Sequence, residues 1–510
     1  MSIKLIFNKN KKTLLFILIL LTAVLTRIII FPSHPGGLNQ DEASIGYDAW
    51  ALLNYGIDRN GCTLPVHLIA WGSGQNVLYA YLSMPFIALF GLNVFSVRIV
   101  NLIFSLLTII AVYFALKRFK GYKTAIIAMA LTSIAPWNIM LSRWGLESNL
   151  FPAMFLLSIC ALLKALDNYK FVYPAAMLFA LTMYSYGSAY LVVTLFCFIS
   201  FIYFIVKRLV PIKTLILSSL LFFLLALPIY LFMIINVFQL DSISLGMISI
   251  PHTYGSRIAT QSGITVQDFF HNINQNVIMQ TDNNQRNSFP FYGCLYVISL
   301  PLCIYGITKC IKKRTPFDFI ILNSFFCSVL LFIYYKAPNI NRVNAVYLPM
   351  IIFTAIGISS FIKSKIQLIS IAAAYSICFA GFTMQYFGDS YRQSISAEFY
   401  DSFDEAIIKA DELSQGTQNV YVTANVNMPY IYVLFYTQTP PAEFINTVQY
   451  ANPKSQFQIV NSFENYIFGN SYIPSRQKGV YIIDNYNLGI IQPYASEIYT
   501  YDNFSVAVIK

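Results

Sequence analysis

The chain has 510 residues, of which 57% are hydrophobic and only 11% charged. Soluble domains carry roughly 25% charged residues, so this composition excludes a soluble globular protein and points to a bilayer. A formal net charge of +11 would suit nucleic acid, but the cations are distributed in a way that excludes that partner.

Apolar runs long enough to cross roughly 30 Å of hydrocarbon recur along the chain. They lie at 13–31, 95–117, 121–140, 150–166, 170–187, 188–207, 212–237, 291–309, 317–335, 340–362 and 365–387. This predicts an α-helical polytopic membrane protein with about eleven transmembrane helices. A shorter run at 77–92, interrupted by Pro85, is expected at the interface instead. Lys and Arg gather at alternate span ends: Lys4/Lys9/Lys11/Lys12, Lys117/Arg118/Lys120/Lys123, Lys164/Lys170, Lys207/Arg208/Lys213, Lys309/Lys312/Lys313/Arg314 and Lys363/Lys365. Every cluster falls on one side if the N-terminus is cytoplasmic and the spans alternate. The basic excess is therefore a topology signal, and it places the first loop and the C-terminal segment outside the cell membrane. Residues 1–31 resemble a secretory signal, but no small-residue cleavage site follows, so a retained anchor is expected.

The sequence divides into a transmembrane domain at 1–387 and a polar tail at 388–510, expected to be an extracytoplasmic soluble α/β domain. The tail carries twelve of the 22 acidic residues. Ser396 to Ser414 reads as one amphipathic helix, and Asn419–Thr423, Gln456–Val460, Gly479–Ile483 and Phe504–Ile509 read as strands. The eight cysteines lie mostly inside spans, Cys62 being the clear loop case, and make neither a disulfide framework nor a metal-binding spacing. An outer loop at 238–290, with His252, Arg257, His271 and Arg286, is long enough to suggest function.

The first outer loop is the most informative stretch. Ten acidic residues precede position 388, and four of them, Asp41, Glu42, Asp48 and Asp58, lie here. A carboxylate at a membrane surface is costly unless it is paired, protonated or used. The text runs Asp41-Glu42-Ala43-Ser44-Ile45-Gly46-Tyr47-Asp48-Ala49-Trp50, with Phe90-Gly91-Leu92-Asn93 and Val97-Arg98 following. Ser142-Arg143 with Glu147, Tyr184-Ser185-Tyr186, and Asn339-Ile340-Asn341-Arg342 come later. In these residues the chain resembles membrane glycosyltransferases of the protein O-mannosyltransferase and aminoarabinose transferase type, the GT-C architecture, across most of 1–387.

The resemblance implies an inverting transfer of a sugar from a polyprenyl phosphate donor to a hydroxyl of an extracytoplasmic glycan, lipid or protein. Asp41 would be the general base, with Glu42 beside it. Arg143 and Arg342 would contact the donor phosphate, and Glu147 and Asp48 would be additional site carboxylates. The chemistry is sound, since a positioned carboxylate can take the proton of a hydroxyl as the new bond forms.

Each residue also has a plainer role. Asp41 can cap a helix. Glu42 can meet the positive end of a helix dipole. Arg143 and Glu147 can pair four residues apart, and Arg342 can snorkel. A divalent metal ion stays open: His34, His67, His252 and His271 all fall on the outer side, though surface histidines are the simpler reading. The stretch Gly72-Ser73-Gly74-Gln75-Asn76-Val77 departs from the family by lacking a basic residue. Two other classes stay in view, a lipid-linked glycan transporter or flippase and a non-catalytic envelope assembly subunit. Few mid-span charges, Arg27 being the nearest, and no repeated halves argue against a transporter.

Overall fold

The computed structural model describes residues 3–255, 264–416, 418–471 and 476–510. Arg257 lies outside the described residues. Each of the eleven expected spans has a helix at its position. Among the described residues, seven of these are long and apolar enough to cross a membrane: Val94–Lys120, Glu147–Lys164, Ser188–Val206, Ile212–Phe238, Pro316–Tyr334, Ile340–Phe361 and Lys365–Tyr386. Of the other four, α1 (Ile3–Ile28) is 26 residues long. Tyr122–Ile134, Val172–Met183 and Ser299–Lys313 have 13, 12 and 15 residues. Local chemistry shortens two of them. The chain leaves the helix at Ala135, before Pro136, and residues 291–298 form turns rather than helix. The shorter apolar run at 77–92 forms a 13-residue helix, Leu78–Phe90, with Pro85 inside it.

The chain separates into two compact units, interleaved in sequence. The first comprises Met1–Phe31, Asn101–Leu227 and Gln261–Gly388. Its helices Ser299–Lys313 and Tyr347–Phe361 pack with their backbones almost in contact. A Cβ on Gly306 would strike the Phe353 carbonyl, and one on Gly357 the Leu302 carbonyl. Small residues allow this approach, which replaces the missing hydrophobic drive between helices in lipid. The mid-span cation Arg27 is fully buried. It donates to Ser105 Oγ at 2.8 Å, to the Ala23 and Ser133 carbonyls at 3.0 Å, and to Asn138. These neutral acceptors give it a structural role.

The second unit comprises Pro32–Val100, Pro228–Thr260 and Asp389–Lys510. Residues 32–100 therefore share a compact unit with the tail. The tail builds a seven-stranded mixed sheet, ordered Glu497–Thr500, Phe504–Ile509, Gly479–Asp484, Val420–Val422, Tyr466–Phe468, Val460–Phe463 and Gln449–Tyr450. Val420–Val422 runs parallel to both neighbours and is wholly buried, as central strands covered on both faces are. Tyr421 stacks on Tyr481, with ring centroids 4.7 Å apart, in a core with Ile483, Ala507 and Ile509.

Three of the expected strands lie where the alternation placed them; the fourth starts at Val460, not Gln456. The expected single helix from Ser396 to Ser414 is two helices, Asp389–Glu398 and Phe403–Ser414. Tyr400 and Ser402 take φ of 55° and 67° between them. That left-handed geometry ends a helix, and it lets Phe399 and Phe403 both be buried.

Candidate active site

The Asp41-Glu42 pair opens helix α2 (Gln40–Tyr55). The N-cap is Asn39, not Asp41. Its side chain accepts the Asp41 backbone N–H at 3.0 Å, while Glu42 accepts the Asn39 N–H at 3.1 Å. This capping box satisfies the first donors of the helix and leaves the Asp41 side chain to other partners.

A short hairpin supplies them. His67–Leu68 pairs antiparallel with Gln75–Asn76. Its turn requires Gly74, whose φ is +75° and whose Cβ would meet the Leu68 carbonyl and the His67 ring. The turn presents Trp71, whose indole N–H donates to Asp41 Oδ1 at 2.8 Å. Gln75 donates to the same oxygen and to the Asp41 carbonyl, each at 3.3 Å. Asp41 is thus part-exposed, with one carboxylate oxygen held by two neutral donors.

The network continues behind it. Gln75 Oε1 accepts from Ser44 Oγ at 2.6 Å. Arg59 donates to Ser44 Oγ at 2.8 Å, sits 3.4 Å from Asp48 Oδ2, and lies 5.5 Å from the Trp71 ring centre. Asp48 is fully buried, and among the described residues its Oδ2 accepts no hydrogen bond. Burial pushes its carboxyl up to about 7, against the pull of Arg59, and Asp58 adds to the rise. Asp58 is pushed up as well, by burial first, with the Cys62 and Asn60 N–H groups opposing.

Glu42 is engaged differently. Arg98 donates Nε to Oε1 at 2.8 Å and Nη2 to Oε2 at 2.9 Å, and both side chains are completely buried. Arg98 also donates to the carbonyls of Pro32, Pro35 and Gly37 at 2.7, 2.6 and 2.8 Å. All five guanidinium N–H groups are used. The pair straps residues 32–37 to the start of α2.

The other candidates belong to the first unit. Arg143 is fully buried and donates to the Thr26, Arg27 and Ile29 carbonyls at 3.3, 3.0 and 2.6 Å, tying down the C-terminal end of α1. Glu147 is buried in the first turn of Glu147–Lys164. Arg342 sits in a one-turn helix, Ile340–Val343, capped by Asn339. Asp282 accepts the Ile340 N–H at 2.9 Å and fixes that turn. The Arg342 guanidinium lies 5.6 Å from the Tyr335 ring centre. Among the described residues it donates to no carbonyl or carboxylate. The structure thus groups Asp41, Glu42 and Asp48 in one unit and Arg143, Glu147 and Arg342 in the other.

Sequence reasoning missed Trp71 and noted Gln75, Arg59 and Arg98 without assigning them a role. The available signal was the departure at Gly72–Val77. Within that stretch Gln75 is a neutral donor to Asp41. Two of the four histidines are not surface groups: His34 and His67 are buried. His67 stacks on Phe232 at 4.1 Å and bonds the Ser73 carbonyl, because the hairpin closes over it. Among the described residues, no three His, Cys, Asp or Glu side chains gather to hold a metal ion.

No family model matches the chain, and a search of curated proteins returns no match. Its backbone defines the class: this is a membrane protein with the GT-C fold. It is similar to ArnT from Cupriavidus metallidurans in the apo state, with a TM-score of 0.57 and 12% identity over 98% of both chains. ArnT bound to undecaprenyl phosphate gives 0.54 at 11% identity, covering 97% of each chain. The archaeal oligosaccharyltransferase AglB from Archaeoglobus fulgidus, in complex with an inhibitory peptide and a dolichol-phosphate, gives 0.53 at 11% identity. That match covers 99% of this chain and 75% of AglB.

Proposed function

We propose that this protein is an inverting glycosyltransferase that moves a sugar from a polyprenyl phosphate to a hydroxyl of an extracytoplasmic glycan, lipid or protein. The observation that carries the reading is the Asp41 carboxylate. It is part-exposed at the start of α2 and oriented by Trp71 and Gln75, in a chain with the GT-C fold. Fold alone does not define chemistry; a carboxylate positioned by two donors adds a chemical reason. The lipid phosphates bound to ArnT and AglB suggest the donor class.

In this reading the acceptor hydroxyl attacks the anomeric carbon and its proton passes to Asp41. The bond from that carbon to the phosphate oxygen breaks, and polyprenyl phosphate leaves with the electron pair. A single displacement inverts the anomeric centre. Arg342, part-exposed and paired with no carboxylate among the described residues, suits the leaving phosphate. Arg143 suits it less, because three carbonyls already hold its guanidinium. Glu42 acts through position: with Arg98 it fixes the residue next to the base. Asp48 and Arg59 support Gln75 from behind. The alternating basic clusters support an active site and tail outside the membrane.

The test is donor use by the purified full-length protein, offered polyprenyl monophosphate sugars and nucleotide sugars with envelope extract as acceptor. Transfer from the lipid-linked set alone is expected. Efficient transfer from a nucleotide sugar would refute the donor class. Binding of lipid-linked glycan without any transfer would favour a transporter or an assembly subunit.

A further inference from the structure

A large apolar cavity in the first unit has no part in the proposed chemistry. It measures about 480 Å³ and is walled by helices Glu147–Lys164, Val172–Met183, Ser188–Val206 and Ile212–Phe238. Leu162, Phe179, Phe204, Leu215 and Phe222 line it, and none of the candidate site residues does. The wall is nearly all apolar, and apolar cavities stay empty of water. Phe198 and Phe223 also line it and are exposed, so the cavity opens on the outer surface of these helices. In a membrane that surface meets lipid.

One end of the cavity is cationic. Lys164 lies two residues beyond Leu162, Lys170 two before Val172, Lys207 three beyond Phe204, and Lys213 two before Leu215. Arg208 follows Lys207, and all five cations are exposed. Among the described residues, none of the five makes an ion pair. The one acidic residue between 148 and 240 is Asp167. It is held by Arg118 at 2.5 Å and does not compete.

We propose that this cavity holds an acyl chain of an anionic phospholipid whose headgroup lies against Lys164, Lys170, Lys207, Arg208 and Lys213. The apolar wall selects the chain and the cations select the charge. Flexible lysines are point charges that follow a mobile phosphate, unlike the forked geometry of a built phosphate clamp. The basic ends of spans face the leaflet where anionic lipid attracts Lys and Arg. The site is independent of the proposed glycosyl transfer and separate from the donor contact proposed for Arg342.

Native mass spectrometry of the delipidated full-length protein tests it, with dioleoyl phosphatidylglycerol, dioleoyl phosphatidylcholine and undecaprenyl phosphate as probes. Phosphatidylglycerol is expected to bind at least ten-fold more tightly than phosphatidylcholine. A Lys170→Gln/Lys207→Gln/Lys213→Gln variant should lose about five-fold per cation removed. These side chains are exposed, so folding is not at stake. Ala176→Phe, which fills the cavity, should reduce binding of both phospholipids. Equal binding of the two phospholipids overturns the proposal, as does full phosphatidylglycerol affinity in the triple variant. Displacement of phosphatidylglycerol by equimolar undecaprenyl phosphate also overturns it, by making the cavity a donor site.

Discussion

Trp71 donates its indole N–H to Asp41 Oδ1 at 2.8 Å, across thirty residues of chain. The contact turns a first-turn helix carboxylate into an oriented one. A hydrogen bond to a charged group is worth about 1.5–3 kcal/mol. If Asp41 is the base, Trp71→Phe should lower kcat by roughly ten-fold or more while leaving the donor KM near its original value. An unchanged kcat would reduce Trp71 to packing. Gln75→Leu should act in the same direction, and the double variant should show less than the product of the two losses, because both donors hold one oxygen.

The buried Glu42–Arg98 pair gives a stability prediction. Glu42→Gln leaves the Arg98 charge without its counter-ion, and breaking such a pair costs about 3–5 kcal/mol. A clearly lower apparent melting temperature in detergent is expected. A variant that melts like the parent but has lost transfer would instead give Glu42 a direct catalytic role.

The arginines divide along their partners. Arg342→Gln should weaken undecaprenyl phosphate binding roughly ten-fold or more with little change in melting temperature. Arg143→Gln should chiefly destabilise, since it releases the carbonyls at the end of α1. Paired binding and melting measurements separate the two, and the reverse pattern would exchange their roles.

Asp48 makes a prediction about pH. Its folded carboxyl is pushed up to about 7, above the roughly 3.9 of an unfolded aspartate. The folded state therefore holds the proton more tightly. This contribution is present in full below about pH 4 and is lost as pH rises through about 7. Melting temperature should fall from pH 5 to pH 8, and Asp48→Asn should flatten that slope. A parallel slope in the variant would place the titration elsewhere, Asp58 being the neighbour that shifts the same way.

What the sequence made legible was local. Apolar length located the membrane helices, and alternation located the strands at Val420, Gly479 and Phe504. The acidic pair at Asp41-Glu42 marked the start of α2. What it did not show depends on distant contacts. Nothing near Asp41 announces Trp71 or Gln75, and nothing near Glu42 announces Arg98, fifty-six positions away. The break at Tyr400–Ser402 was hidden because the apolar spacing of Phe399 and Phe403 suits one helix as well as two. The tail read as a domain of its own, yet Tyr47 donates to the Thr439 carbonyl at 2.6 Å and Tyr432 to the Leu38 carbonyl at 3.3 Å. Those contacts join the two stretches in one compact unit.

In the proposed reaction Asp41 takes the acceptor's proton. Transfer from a polyprenyl phosphate sugar by Asp41→Asn, measured with undecaprenyl phosphate binding on the same preparation, tests it most directly. Turnover should fall by about two orders of magnitude or more with binding intact. Turnover near that of the parent protein, with binding equally intact, would contradict it.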